Sequence, residues 1–278
     1  MILSTGSSAL PANGMWLLVV VAVLMYATGA VSLAALRRFS AAALVGGFLL
    51  HGLLLLADIG GYGQQVPGAR LGFGPVLSIT VWLVIAVHTV ESRLVPLPAV
   101  RQWLGIAGVA AVLVAALFPG ETKPISSALA PLHFALGVGS YGLFGAAVLH
   151  GVLLDSAERR LRPGGPGMAR NPSGQTLGIP LLQLERLTFR FVQAGFVVLT
   201  ATMLLGILNT VHWRWTDHKA VFSMLAWAVF AALLAGRHLR GWRGRQATRW
   251  LYAGAALLLL GYVGSRFVFE VLLQRGTA

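Results

Sequence analysis

Residues 14–36 read GMWLLVVVAVLMYATGAVSLAAL, a run without one charged side chain. About 20 such residues in a row match the hydrocarbon thickness of a bilayer when helical. Only a helix lets a single segment satisfy its own backbone hydrogen bonds in lipid. No Lys or Arg precedes the run, and it is too long for the apolar part of a cleaved leader, so it reads as a retained span. Seven further segments share this character: 41–59, 74–92, 101–118, 131–154, 189–210, 219–238 and 248–272. Of the 278 residues, 57% are hydrophobic and only 10% charged, which places the chain outside soluble-protein usage. The expected fold is therefore all-α: one polytopic membrane bundle of about eight transmembrane helices, a single integral membrane domain over 1–278. Residues 155–188, which contain the Gly/Pro-rich RPGGPGMARNPSGQ, read as its long cytoplasmic loop.

The positive charge sets the orientation. With the N-terminus outside, the inner connections carry fourteen Arg, among them Arg37, Arg38, Arg159, Arg160, Arg243 and Arg245. The outer connections and tail carry five basic residues: Arg70, Lys123, Arg214, Lys219 and Arg275. That asymmetry predicts both termini outside. It also accounts for the net charge of +13 through anionic lipid, with no nucleic-acid partner. With no cysteine there are no disulfides, no thiolate metal sites and no covalent haem attachment through C-x-x-C-H. No phosphate loop, G-x-S-x-G or paired intramembrane carboxylates are present, so the sequence does not read as an enzyme.

Histidine carries what chemistry remains. His51 lies mid-span, and an intramembrane ionisable group is a functional candidate; it reads as a ligand, or as a core histidine bonded to a neighbouring helix. His88 and His150 lie near the inner ends of their segments and His238 at the inner end of the seventh; His88 and His238 read as interfacial. His133 opens segment five on the outer side, and His212 and His218 bracket the outer turn before segment seven. His133 and His150 are 17 residues apart, hence about 25 Å along one helix, and cannot share a centre. In HFALGVGSYGLF, Gly137, Ser140 and Tyr141 share a helix face with His133, leaving room for another helix or for a flat ring. In VHWRWTDHKAVFSMLAWAVF, residues 211–230, Trp213 and Trp215 suit an interfacial belt, which leaves His212, Asp217 and His218 unexplained. A porphyrin matches imidazole beside flat aromatic surfaces, with Arg214 and Lys219 at hand for its propionates.

Residues 184–250, LERLTFRFVQAGFVVLTATMLLGILNTVHWRWTDHKAVFSMLAWAVFAALLAGRHLRGWRGRQATRW, resemble the cytochrome c assembly family. These haem-handling membrane proteins include CcsA-, CcmC- and HemX-type members, and the likeness is strongest to a short, eight-helix inner-membrane branch. In that family a helix of the type L-D-x-L-x-Y-R leads to a Trp-rich outer segment ending in W-D-x-K-E, and the next helix closes ahead of a G-W-x-G-R loop. HFALGVGSY resembles the segment bearing an outer His ligand, and LLHGLLLLADIGGYGQQVP the early helix with an intramembrane His. The chain departs from the pattern at Thr216-Asp217-His218-Lys219-Ala220, and GYVGSRFVFEVLL lacks the second outer His.

The resemblance implies a haem-binding protein of the bacterial inner membrane that handles or delivers a non-covalent, b-type haem for cytochrome c assembly. Its partners would be haem, the bilayer and an apocytochrome or another cytochrome-assembly or haem-biosynthesis protein. His133 and His218 are expected to flank one iron at the outer end, with His212 in reserve, Trp213 and Trp215 as walls, and Asp217 beside them. His51 is expected to be an early ligand at mid-depth. Two other readings stand beside this one: a HemX-like regulatory or scaffolding protein without haem transfer, and a small-molecule transporter, for which neither repeat symmetry nor broken helices are evident.

Overall fold

The computed structural model describes residues 13–31, 38–59, 69–70, 72–91, 98–120, 122–123, 129–160, 181–209 and 218–272. They form helices α1 (Asn13–Ala30), α2 (Ser40–Ile59), α3 (Phe73–Glu91), α4 (Pro98–Leu117), α5 (Ala130–Arg160), α6 (Leu181–Asn209), α7 (His218–Arg240) and α8 (Gly244–Leu259). From α8 the chain continues through a π-helical stretch, Leu260–Gly264, an α-helical turn α9 (Ser265–Phe267) and a second π-helical stretch, Val268–Leu272. Two residue pairs, β1 (Ala69–Arg70) and β2 (Thr122–Lys123), make a minimal antiparallel ladder. The protein is an all-helical, polytopic membrane bundle. Helices α2 to α7 are each long and apolar enough to cross a membrane. Leu56, Val197 and Leu208 are 69%, 66% and 80% exposed, an arrangement suited to lipid rather than water.

The described helices match the eight expected segments, with one systematic difference. At the 155–188 connection, α5 runs on to Arg160 and α6 begins at Leu181, so only 161–180 separate them, and these lie outside the described residues. The extra turns stay helical because their polar side chains find partners. Asp155 accepts hydrogen bonds from Thr248 Oγ1 and Tyr252 Oη, both at 2.9 Å. Glu185 accepts from Arg237.

The chain divides into two compact units, 1–78 with 98–124, and 79–97 with 125–278, the boundary falling inside α3. In the first, Tyr26 of α1 is fully buried, its ring against Gly47 of α2 and Gly108 of α4. A Cβ at Gly108 would stand 2.7 Å from that ring, so only glycine admits it there. In the second, α5, α6, α7 and α8 surround a core that includes Phe144, Val192, Phe230, Leu233 and Leu251. Phe144 and Phe230 stack at its centre, centroids 3.8 Å apart and planes within 8°.

Candidate functional site

Hydrogen bonds fix which helix ends share a depth in the second unit. The end of α5 meets the start of α8 through Asp155, Thr248 and Tyr252. The start of α6 meets the end of α7 through Glu185 and Arg237, whose guanidinium also lies 4.0 Å over the Phe189 ring. At the opposite end Tyr141, in the fourth turn of α5, donates to the Leu258 carbonyl near the end of α8 at 2.6 Å. The starts of α5 and α7 therefore share one end of this unit, and with them His133 and His218.

His133 sits in the first turn of α5. Its Nδ1 is buried and has no hydrogen-bond partner among the described residues. His218 is the first residue of α7 and is exposed. His212, Trp213, Trp215 and Asp217 lie outside the described residues, as does Arg214. Helices α6 and α7, which lead into and out of that segment, are joined at mid-length as well. Trp227 Nε1 donates to Thr200 Oγ1 at 3.0 Å, and its ring stacks on Phe196. Of the two occupants open for the face below His133, another helix or a flat ring, a helix stands beside Gly137. A Cβ at Gly137 would meet the Thr202 methyl of α6 at 3.6 Å, and Ser140 is fully buried with its hydroxyl bonded to the Gly137 carbonyl.

His51 is 1% exposed, with Tyr26 Oη 3.1 Å from Nδ1 and Ser78 Oγ 2.7 Å from Nε2. A neutral imidazole has one N–H and one lone pair, so one hydroxyl accepts from the ring and the other donates to it. Both nitrogens are thus occupied, and a metal would have to displace Tyr26 or Ser78. The adjoining cavity, lined also by Asp58 and Leu55, measures about 90 Å³. A dry cavity of about 150 Å³ takes one benzene, so this one, at about 90 Å³, has room for small molecules such as water. Of the two sequence readings of His51, the geometry matches the core histidine bonded to its neighbours.

His150 does have an acidic partner. Its Nδ1–H donates to the Ala146 carbonyl at 2.8 Å, and Nε2 lies 2.9 Å from Glu91 Oε2 on α3. One proton therefore lies between His150 and Glu91, as imidazolium with carboxylate or as imidazole with carboxyl. The sequence put His150 and the end of segment three at one depth, which was the available signal for this pair; facing directions carried none. His88 is buried, while His238 is exposed at the end of α7. Among the described residues no cluster of three or more His, Asp or Glu side chains is placed to hold a metal ion.

The G-W-x-G-R loop is structural. Gly241 and Gly244 adopt φ of +64° and +54°, a left-handed backbone that favours glycine. Between them the Trp242 carbonyl accepts from Arg237 Nη1 at 3.3 Å, and the Trp242 ring covers Gly236.

A polytopic helical membrane bundle is the frame the sequence resemblance predicted. Over residues 10–273 the chain matches the family described as Cytochrome C assembly protein, and it belongs to that family. It is similar to the inner membrane protein YpjD of Escherichia coli strain K12, 28% identical over 246 residues, covering 85% of this chain and 88% of that protein. It is also similar to the cytochrome c biogenesis protein CcsA of Prochlorococcus marinus strain MIT 9515, 30% identical over 115 residues, 38% of this chain and 36% of the relative. The CcsA of strain NATL1A is 32% identical over 87 residues, 30% and 27% of the two chains. No solved structure matches.

Proposed function

We propose that the chain is a haem-handling protein of the bacterial inner membrane, acting in cytochrome c biogenesis without catalysing a covalent reaction of its own. The observation that carries this reading is the buried Nδ1 of His133, which has no hydrogen-bond partner among the described residues. A buried polar atom left unmatched costs about 1–3 kcal/mol, and in a chain of this family an iron porphyrin is the partner whose chemistry fits an imidazole. Family membership and the named CcsA relatives support the cytochrome context, and the YpjD relative supports the membrane.

His133 and His218 stand at one end of their unit, so both would hold the haem there, with His212 as the reserve ligand. Trp213 and Trp215 would supply flat apolar walls, Asp217 would sit at the rim, and Arg214 and Lys219 would meet the propionates. When bound, the haem supplies its iron and its flat apolar face. The chain's part is to orient the ring, shield one face from water and present the other side outward to an apocytochrome or assembly partner. His51, with both nitrogens engaged, is assigned to holding α1, α2 and the start of α3 together.

Absorption of the protein purified from haem-replete cells tests this directly. A Soret band in stoichiometric amount is expected. Its absence, with the protein folded and membrane-inserted, would instead favour the regulatory or scaffolding reading.

A further inference from the structure

A cavity away from the histidines lies in the second unit among α3, α5 and α8. It measures about 260 Å³ and is lined by Tyr141, Phe144, Val148, Tyr252, Ala256 and Leu259, among others. Its walls are almost wholly apolar, and Ala256 and Leu259 of α8 are exposed, so it opens at the unit's surface. A dry apolar cavity of about 150 Å³ takes up benzene; this one has room for part of a hydrocarbon chain. No histidine lines it, so it is not a second haem site of the kind proposed above.

The two helices that wall it change character together. On α5 the lining stripe of Tyr141, Phe144 and Val148 continues, at helical spacing, through Asp155 to Arg159. On α8 the stripe of Leu259, Ala256 and Tyr252 continues to Arg249 and Arg245. Because the end of α5 meets the start of α8, the basic ends of both stripes fall on one side. Arg159, Arg245 and Arg249 are exposed there beside two carboxylates, Glu158 and Asp155, the latter engaged by Thr248 and Tyr252. Arg159 donates to the Ser156 hydroxyl at 3.2 Å. Glu158 lies close by, beside Gly244. At the far end of the cavity α8 gives way to the π-helical stretch Leu260–Gly264, an irregularity often found at functional sites.

An apolar slot ending in exposed arginines has the profile of one amphiphile. We propose that this slot binds an anionic phospholipid, one acyl chain lying between α5 and α8 and the phosphate among Arg159, Arg245 and Arg249. The lipid comes from the leaflet at the end of α5 and the start of α8, the inner leaflet if the arginine asymmetry sets the orientation. Tyr252, bonded to Asp155, stands at the neck between chain and headgroup.

The test uses the full-length protein reconstituted in vesicles that contain a trace of phosphatidylglycerol or phosphatidylcholine carrying a photoreactive diazirine in one acyl chain. Labelled peptides are then mapped by mass spectrometry. Phosphatidylglycerol should label the 141–148 and 252–259 stripes in preference to other lipid-facing segments, about fivefold or more over phosphatidylcholine, the scale expected for even one arginine near a membrane surface. Arg245→Gln with Arg249→Gln should abolish that preference, and Ala256→Trp should remove labelling of the stripes by both probes. Equal labelling by the two headgroups in the parent protein would overturn the proposal. So would labelling that follows exposure alone, strongest at residues such as Leu17, Leu56 and Leu208. The parent protein decides either way, even if Ala256→Trp fails to fold.

Discussion

Replacing Arg237 with Met should be among the most damaging single changes at the 161–180 end of the second unit. The guanidinium donates to Glu185, whose side chain is 10% exposed against 24% for Arg237, and also to the Trp242 carbonyl. Removing one member of a fully buried pair costs about 3–5 kcal/mol, because the other charge is left without compensation. Two features reduce that figure. Arg237 keeps some water contact, and Arg243 Nε stands 3.7 Å from the same Glu185 oxygen, although Arg243 is 67% exposed and holds it weakly. We therefore expect a loss of about 2–3 kcal/mol for Arg237→Met. Methionine keeps a flexible apolar side chain against the Phe189 ring, so little of the loss is packing. Adding Glu185→Gln removes the stranded charge and should bring the double variant back to within about 1 kcal/mol of the parent. The assay is loss of helical circular dichroism during SDS titration in mixed micelles, with the four proteins of the cycle measured side by side. A loss below about 0.5 kcal/mol for Arg237→Met, or no recovery in the double variant, would refute the reasoning.

Three further outcomes follow from the same geometry. Tyr26→Phe keeps the ring between Gly47 and Gly108 but removes the His51 bond, for a loss near 0.6 kcal/mol, the average for polar contacts inside membranes; Gly108→Val, which drives a side chain into that ring, should cost about 1–3 kcal/mol. The same unfolding assay separates them, and equal losses would contradict the packing described for Tyr26. At the Glu91–His150 pair, Glu91→Gln can still donate to Nε2 and should cost under about 1 kcal/mol, whereas Glu91→Leu leaves that nitrogen unmatched and should cost about 1–3 kcal/mol. Reporter fusions after Ala278 should be active outside the cytoplasm, as the arginine asymmetry requires; activity confined to the cytoplasm would reverse the orientation.

Depth was legible in the sequence, and direction around each helix axis was not. Apolar run length located every described helix to within a few residues, because lipid leaves a segment no alternative to the helix. The exceptions are the C-terminal end of α5 and the N-terminal end of α6. There the chain looks like loop, since Asp155 and Glu185 are polar, but their partners Thr248, Tyr252 and Arg237 lie 52 to 97 residues away. His51 shows the same limit: its mid-membrane depth was plain, whereas Tyr26 and Ser78, which occupy both its nitrogens, sit 25 and 27 residues off on other helices. Gly137 illustrates an ambiguity of another kind. A small residue on a helix face admits a ring or a neighbouring helix equally well, and here α6 takes the space. The Gly241 and Gly244 positions were visible as part of a family motif, and the reason for them lies in the left-handed backbone that turns α7 into α8.

The central claim is that the imidazole of His133, in the first turn of α5, holds haem together with that of His218, the first residue of α7. Its most direct measurement is the reduced absorption spectrum of the purified protein beside those of His133→Ala, His218→Ala and the double variant. Two axial imidazoles give a low-spin, six-coordinate spectrum. We predict that spectrum for the parent, its loss in each single variant with partial recovery on adding imidazole, and no bound haem in the double variant. All three variants retaining the parent's haem content and axial signature would contradict the account.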